Sequence, residues 1–215
     1  MMGEVQLVAV AGVIGVGKST LARGLAEALG AALVQEKYGE NPFLAMMLSG
    51  RREAALACEL DFLLGRARQL SAGSLGAGLH VADYVFDKNR LFARRNLAGE
   101  EMVVFERVEG QVRELIVRPG MVVYLVDRPE RCWERVQRRG RAYEMGLSVG
   151  FLEGLAQAYE DMMARWEGCP VLRVDAGELD VREAMVVEGL AGSVRAALGS
   201  EGPIEVKRRP KASRP

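Results

Sequence analysis

Gly12-Val13-Ile14-Gly15-Val16-Gly17-Lys18-Ser19 sets three glycines, a lysine and a hydroxyl in the spacing G-x-x-x-x-G-K-[ST]. Those residue types at that spacing suit phosphate binding. Glycines let successive backbone N–H groups turn toward phosphate oxygens, and a helix N-terminus behind them adds partial positive charge. Lys18 would reach the β- and γ-phosphates from an exposed loop-to-helix junction. Ser19 would hold magnesium. Gly12, Gly15, Val16, Gly17 and Thr20 complete the contact surface. A chance glycine-rich turn is the bland alternative, but an expected strand before the motif and an expected helix after it stand in register. The motif implies a nucleoside triphosphate, with ATP and Mg2+ as the expected ligands. It does not identify the acceptor, because one fold hosts many functions.

Two carboxylates and three arginines could complete a phosphoryl transfer. Glu36 and Asp83 each follow the carboxyl end of an expected strand, where a doubly wound sheet places its ligands. A carboxylate there can accept a hydroxyl proton as the oxygen attacks phosphorus. The competing readings are a solvated loop glutamate for Glu36 and a helix N-cap for Asp83. Arg135 and Arg139 are four apart, and Arg141 follows Gly140. Such a run fits a mobile lid that brings positive charge over the migrating group. A solvated basic helix is the alternative, and Arg131 and Arg138 read as surface charge.

These groups need a sheet and its connections to position them. Val5–Ala11 is a β-branched run ending at a glycine, so it reads as a buried strand. Further strands are expected at 32–35, 80–83, Met121–Val126 and 171–174. Helices are expected at 19–29, 51–70, 100–117, 130–138, 149–166 and 181–198, with a Gly/Ser loop over 71–78. The alternation implies an α/β domain over 1–198, a five-stranded parallel sheet with helices on both faces and an arginine-rich lid. Residues 199–215 turn to Pro, Lys and Arg and read as a disordered basic tail. His80 begins a strand and reads as structural.

Composition narrows the class. The 29 basic and 29 acidic residues cancel, so no global field favours nucleic acid or membrane as partner. Three widely spaced cysteines form neither a zinc pattern nor a disulfide framework, which fits a reducing cytosol. No positively charged leader precedes the first apolar run, and no apolar stretch nears the roughly 20 residues that span a bilayer. A cytoplasmic protein is expected.

Three more segments carry a resemblance. Glu36-Lys37-Tyr38-Gly39-Glu40-Asn41-Pro42-Phe43-Leu44 follows the second strand, and Asp83-Tyr84-Val85-Phe86-Asp87-Lys88-Asn89-Arg90-Leu91-Phe92-Ala93 the third. Glu134-Arg135 leads into Arg138-Arg139-Gly140-Arg141-Ala142-Tyr143-Glu144. With the glycine motif, these resemble the deoxynucleoside kinase family, nearest the bacterial deoxyadenosine/deoxyguanosine kinases, from about Val5 to Val174. The resemblance implies a P-loop kinase fold and transfer of the ATP γ-phosphate to the 5′-hydroxyl of a purine deoxynucleoside. It implies Glu36 as general base, Asp83 and Ser19 near magnesium, and Lys18, Arg135, Arg139 and Arg141 around the phosphates. It also implies a base-reading role for Glu59, with Arg66 and Phe62 beside it, a sugar 3′-hydroxyl contact at Glu144, and a homodimer.

The sequence departs from the family at three points. Tyr84 stands where an arginine is usual, with Lys88 and Arg90 the cations near enough to replace its charge. Leu48 stands for a sugar-binding tyrosine, and Asn89 for a carboxylate. Glu59 stands for a glutamine. Kept charged by Arg66, it would accept from guanine N1–H and N2–H2 and favour deoxyguanosine. Protonated by burial it would imitate glutamine, and paired only with Arg66 it would touch no base. Two other functions stay open: a thymidylate-type nucleoside monophosphate kinase, and a nucleotide-binding regulatory protein with a degenerate acceptor pocket.

Overall fold

The computed structural model describes residues 5–141, 144 and 146–199. Of the basic tail expected at 199–215, residues 200–215 lie outside the described residues, as do Ala142 and Tyr143 of the lid segment. Strands β1 (Val5–Ala11), β2 (Ala32–Val34), β3 (Gly78–Ala82), β4 (Met121–Val126) and β5 (Val171–Asp175) form one sheet in the order β2-β3-β1-β4-β5. Every pairing is parallel. A parallel sheet needs both faces covered, which is why its central strands are continuous apolar runs. Leu7 of β1 packs in a cluster with Leu63, Tyr84, Phe86 and Phe105. Val8 and Val10 belong to a second cluster with Leu21, Leu25, Leu190 and Val194.

The covering helices are α1 (Lys18–Leu29), α2 (Leu44–Leu48), α3 (Ala55–Gln69), α4 (Ala72–Leu75), α5 (Lys88–Asn96), α6 (Glu100–Arg113), α7 (Pro129–Arg139), α8 (Val149–Ala164) and α9 (Ala184–Leu198). Several differ from expectation. The helix expected over 51–70 starts at Ala55, behind a 3-10 turn at Arg52–Ala54. The loop at 71–78 holds α4, whose first turn Ser71 caps by accepting from the Ser74 N–H at 3.3 Å. The last helix begins at Ala184 rather than 181. α5 was not expected at all, because its sequence KNRLFARRN is mostly polar and shows little apolar periodicity.

The chain leaves β1 toward β3 and β2, and leaves β4 toward β5. The crevice between β1 and β4 is therefore the topological switch point, where open α/β sheets bind ligands. His80 has its ring nitrogens 3.1 Å from the Gly78 carbonyl and 2.7 Å from the Leu75 carbonyl, in the structural role expected of it. None of the helices among the described residues is long and apolar enough to cross a membrane.

Candidate active site

The glycine motif forms the loop from β1 to α1 at the switch point. Gly12 has φ 140°, and a Cβ there would come within 2.5 Å of the Leu125 carbonyl oxygen of β4. Gly15 has φ 85°, and a Cβ there would come within 2.3 Å of the Cys132 carbonyl oxygen of α7. Both positions therefore need glycine for conformation and for space. Val13 and Val16 are buried and anchor the loop beneath. Lys18 is buried rather than exposed as expected, and its Nζ donates to the Val13 carbonyl at 2.8 Å. Burial first, and then the charge of Lys88, push its amino group down to about 8. Ser19 Oγ donates to Asp83 Oδ2 at 2.5 Å.

Outside this loop lies a cleft of about 500 Å³ walled by Val16, Gly17, Thr20, Arg131, Arg135 and Arg138, and closed by residues 176–183. Arg131 and Arg138, read as surface charge, thus belong to this cleft. The β5–α9 connection was missed as part of the site, and its plain polar composition gives no signal. Asp127, at the end of β4, was missed too. Its buried carboxylate accepts from Arg135 at 2.6 Å and lies 3.6 Å from Arg131. Arg135 also reaches the Gly15 carbonyl at 3.4 Å. Arg139 forms two 2.6 Å hydrogen bonds to Glu144, and Arg141 lies 3.8 Å from it. The three arginines are thus paired with carboxylates in this state.

Glu36 lies on the other side of the cradle, its side chain 1% exposed. Its backbone N–H donates to Asp83 Oδ1 at 2.8 Å, so Asp83 ties Glu36 to Ser19. Asp83 is not a helix N-cap; Asp87 holds that position for α5. Asn41 fixes the loop beyond Glu36, donating to the Cys58 carbonyl of α3 at 2.9 Å. Glu36 is not a solvated loop carboxylate. Arg66 donates to it from Nε at 2.8 Å and also from Nη2, and Lys88 Nζ lies 2.8 and 2.7 Å from its two oxygens. Tyr38 also hydrogen-bonds it. Burial alone would raise this carboxyl, but Arg66 and then Lys88 reverse that and hold it at about 2.

The departures from the family pattern now have physical accounts. Lys88, buried and over the rings of Tyr38 and Phe92, brings the cation to Glu36. Arg90 does not; it pairs with Glu109 of α6. The Tyr84 hydroxyl donates to Gln69 at 3.0 Å, and Gln69 donates to the Gln35 carbonyl at 2.8 Å, bracing the backbone before Glu36. Asn89 accepts from Arg66 Nη1 and donates to the Phe86 carbonyl at 2.7 Å, so it holds the guanidinium without a charge of its own. Leu48 lines the pocket beyond Glu36 and adds no hydroxyl.

That pocket, about 160 Å³, is mostly apolar. Glu59, Phe62 and Arg66 enter it from α3 at i, i+3 and i+7, and Lys88, Phe92 and Asn96 from α5 at i, i+4 and i+8. The second spacing was readable in the sequence once α5 is recognised as a helix. Glu144 closes the pocket beside its arginine partners. One expectation fails here. Arg66 does not pair with Glu59; it is engaged by Glu36 and Asn89, while Glu59 accepts from Asn96 at 2.6 Å. Burial pushes the Glu59 carboxyl up, against the Asn96 hydrogen bond and the charges of Arg66 and Lys88. The ion pair with Arg66 that was expected to keep Glu59 charged is therefore not formed.

A phosphate-binding loop at the switch point of a parallel sheet, facing a buried carboxylate across Ser19 and Asp83, defines a P-loop phosphotransferase. The deoxynucleoside kinase family model matches residues 8–195, and the chain belongs to that family. It is 29% identical over 163 residues to the deoxyguanosine kinase of Bacillus subtilis strain 168, covering 74% of this chain and 79% of that protein. It is 26% identical over 183 residues to the deoxyadenosine/deoxycytidine kinase of the same organism, covering 81% and 84%. The fold matches deoxyadenosine kinase from M. mycoides, solved with dCMP and a flexible dCDP, at a TM-score of 0.76 and 21% identity over 89% of this chain and 99% of that one.

Proposed function

We propose that this chain is an ATP-dependent deoxynucleoside kinase that transfers the γ-phosphate to the 5′-hydroxyl of a purine deoxynucleoside, deoxyguanosine or deoxyadenosine. The observation that carries the reading is the chain of contacts Ser19–Asp83–Glu36, which places a buried, charged carboxylate between the phosphate loop and the apolar pocket. In this reading ATP takes the cleft outside the loop, with its terminal phosphates on the backbone N–H groups of 12–19 and on Lys18. The nucleoside takes the pocket between α3 and α5, its 5′-oxygen toward Glu36.

Each group then has a defined task. Glu36 accepts the hydroxyl proton as the new O–P bond forms. Arg66 and Lys88 keep this carboxyl below its usual range, so it is charged and able to accept at neutral pH. Lys88 and Arg66 keep Glu36 in place and set positive charge beside the attacking oxygen. Ser19 and Asp83 offer adjacent hard oxygen donors and fit Mg2+, which takes few protein ligands and completes its shell with phosphates and water. Bound there, the ion would neutralise charge on the β- and γ-phosphates. Arg135, Arg139 and Arg141 would exchange carboxylate partners for phosphate oxygens on closure, releasing Glu144 toward the sugar.

The pocket favours an unphosphorylated acceptor over a nucleoside monophosphate. Its two inner cations, Arg66 and Lys88, are already bonded to Glu36. ATP consumption with a panel of nucleosides and monophosphates tests the reading. Turnover with purine deoxynucleosides is expected. Turnover with monophosphates alone points to the thymidylate-type kinase, and ATP binding without turnover to a regulatory protein.

A further inference from the structure

A further cavity lies behind the catalytic loop and shares no lining residue with the ATP cleft or the acceptor pocket. It measures about 260 Å³ and is lined mostly by apolar side chains. Leu7 and Ala9 enter it from one face of β1, and the α6–β4 and α8–β5 connections form its rim. The stretch 83–88 separates it from the Glu36 site. Asp83 and Lys88, at the two ends, hold Glu36, whereas Tyr84, Phe86 and Asp87 between them wall the cavity. We propose that this cavity is an effector site for a small aromatic carboxylate, and that filling it strengthens binding of the acceptor nucleoside through the 83–88 stretch. The site stands without the nucleoside-kinase reading, and its effect on the acceptor rests on that reading.

The lining defines the ligand. Tyr84 and Phe86 are buried aromatic rings and Trp166 is a half-buried one, surfaces that suit a planar ring. The volume falls just under the roughly 300 to 1,000 Å³ of ligand pockets, so a one- or two-ring guest fits. The charged groups on the cavity are Arg113, Arg118 and Arg165 against Asp87 and Glu167. Arg113 is matched by Asp87 at 2.9 Å and by Glu109, and Arg118 lies 3.6 Å from exposed Glu114. Arg165, exposed at the rim, forms no ion pair among the described residues. Three arginines against two carboxylates leave a positive excess, and Arg165 has a guanidinium available to fork onto a carboxylate.

The coupling follows from what the wall residues hold. The Tyr84 hydroxyl donates to Gln69, and Gln69 to the Gln35 carbonyl next to Glu36. Asp87 precedes Lys88 at the start of α5 and is held by Arg113, whose guanidinium also lies 5.3 Å from the centroid of the Phe86 ring. An occupant adds contacts to these residues as they stand and so favours this arrangement. The acceptor pocket needs the same arrangement of Glu36 and Lys88, so the two ligands reinforce one another.

The experiment uses 2-naphthoate, with 2-naphthylmethylamine as its cationic counterpart, on wild type, Val117→Phe and Arg165→Ala. Val117→Phe fills the cavity from the rim and keeps the backbone N–H bond to the Leu70 carbonyl. Calorimetry follows probe and nucleoside binding, melting curves report folding, and kcat and KM are measured with and without probe. 2-Naphthoate is expected to bind wild type, to raise its Tm, and to lower the nucleoside Kd and KM by about 5-fold, while the ATP KM moves by less than about 2-fold. Val117→Phe should abolish probe binding. Arg165→Ala should weaken it by about 5-fold without changing turnover in the probe's absence, and the amine should bind wild type about 5-fold more weakly than the acid. The proposal is overturned if 2-naphthoate fails to bind wild type at millimolar concentration, or if it competes with the nucleoside or with ATP. It is overturned equally if both variants bind the probe as wild type does, if the amine binds as well as the acid, or if saturating probe leaves nucleoside affinity unchanged. If Val117→Phe does not fold, Arg165→Ala and the amine decide the site. If probe and nucleoside strengthen each other's binding but no nucleoside is phosphorylated, the kinase reading falls and the effector site stands.

Discussion

The two halves of the active site are built from different materials. The donor half is backbone: one contiguous loop between β1 and α1, shaped by glycines at φ 140° and 85° and braced by β4 and α7. Its lysine is satisfied by a carbonyl of the same loop. The acceptor half is side chains, drawn from the β2 and β3 ends, α3, α5 and the segment after α7, and it centres on one buried carboxylate with two cations. A backbone cradle recognises what all triphosphates share and varies little with side-chain identity. A side-chain pocket can be retuned one residue at a time. The same dependence makes it easier to break, because removing one partner exposes the rest to an unbalanced buried charge.

The sharpest way to break the donor half is Lys18→Ala. Turnover should fall on the order of 10³-fold or more, while stability holds, because the variant removes a buried charge whose partner is a single carbonyl. Normal turnover with a normal melting curve would show that the loop is not the phosphate site. In the acceptor half, Glu36→Gln should lower kcat by about 10²- to 10⁴-fold and change ATP affinity little. A near-normal kcat there removes Glu36 as the base.

Lys88→Met probes whether the acceptor cations are interchangeable with those of the family pattern. A fall of about 10²-fold in kcat is expected, and Lys88→Arg should recover part of it. An equal loss in both variants, matched by a lower melting temperature, would make Lys88 a packing residue. The next test is gentler and distinguishes the halves by pH. Lys18 has a folded pKa lowered to about 8 from 10.5. Above about 8 the folded state has shed this proton while the unfolded state keeps it. This group's contribution to stability should therefore rise with pH between those values. ATP affinity should fall over the same range, because the cation is lost. Titration calorimetry from pH 7 to 9.5 checks this, and affinity flat across that range contradicts a buried, titrating lysine at the phosphates. The smallest effect is expected in the arginine segment. Amide exchange over 135–141 and at Glu144 should slow when ATP and nucleoside bind together. Equal protection with and without ligands counts against closure.

Much of the donor half was legible because its parts are contiguous. Strand, glycines, lysine and helix follow one another within Val5–Leu29, so spacing alone carries the geometry. The five strands were legible for a similar reason, each being a short apolar run. The acceptor half was legible only as candidates. Glu36, Asp83, Glu59, Arg66 and Glu144 all lie at the site, but their pairings depend on which helix meets which. The expected Glu59–Arg66 pair failed because helix spacing says what shares a face and not what stands opposite. Once α5 supplies Lys88, Asn89 and Asn96, Arg66 turns to Glu36 and Glu59 turns to Asn96. α5 itself was hidden by its charge-rich sequence, in which Lys88 and Asn96 turn toward the pocket and Asn89 toward Arg66, while Arg94 and Arg95 stay exposed. The β5–α9 wall was hidden because a loop's contribution to a cleft leaves no periodicity to read.

The close approach of Gly15 to Cys132 also limits how the arginines can move. The loop rests on the backbone of α7 with no room for a methyl group, and Arg135 from the same helix reaches the Gly15 carbonyl. A rigid swing of α7 would drag the phosphate loop with it and spoil the cradle it is meant to serve. If the arginine segment closes as proposed, its bend belongs at the far end of the helix, where Gly140 takes a left-handed turn with no atom of the described residues within 4 Å of its would-be Cβ. In that reading the backbone at Arg135 stays with the loop while Arg141 moves with the segment beyond Gly140, and Arg139 lies between them. Cross-linking α7 to the loop should leave catalysis intact, and stiffening residue 140 should stop it.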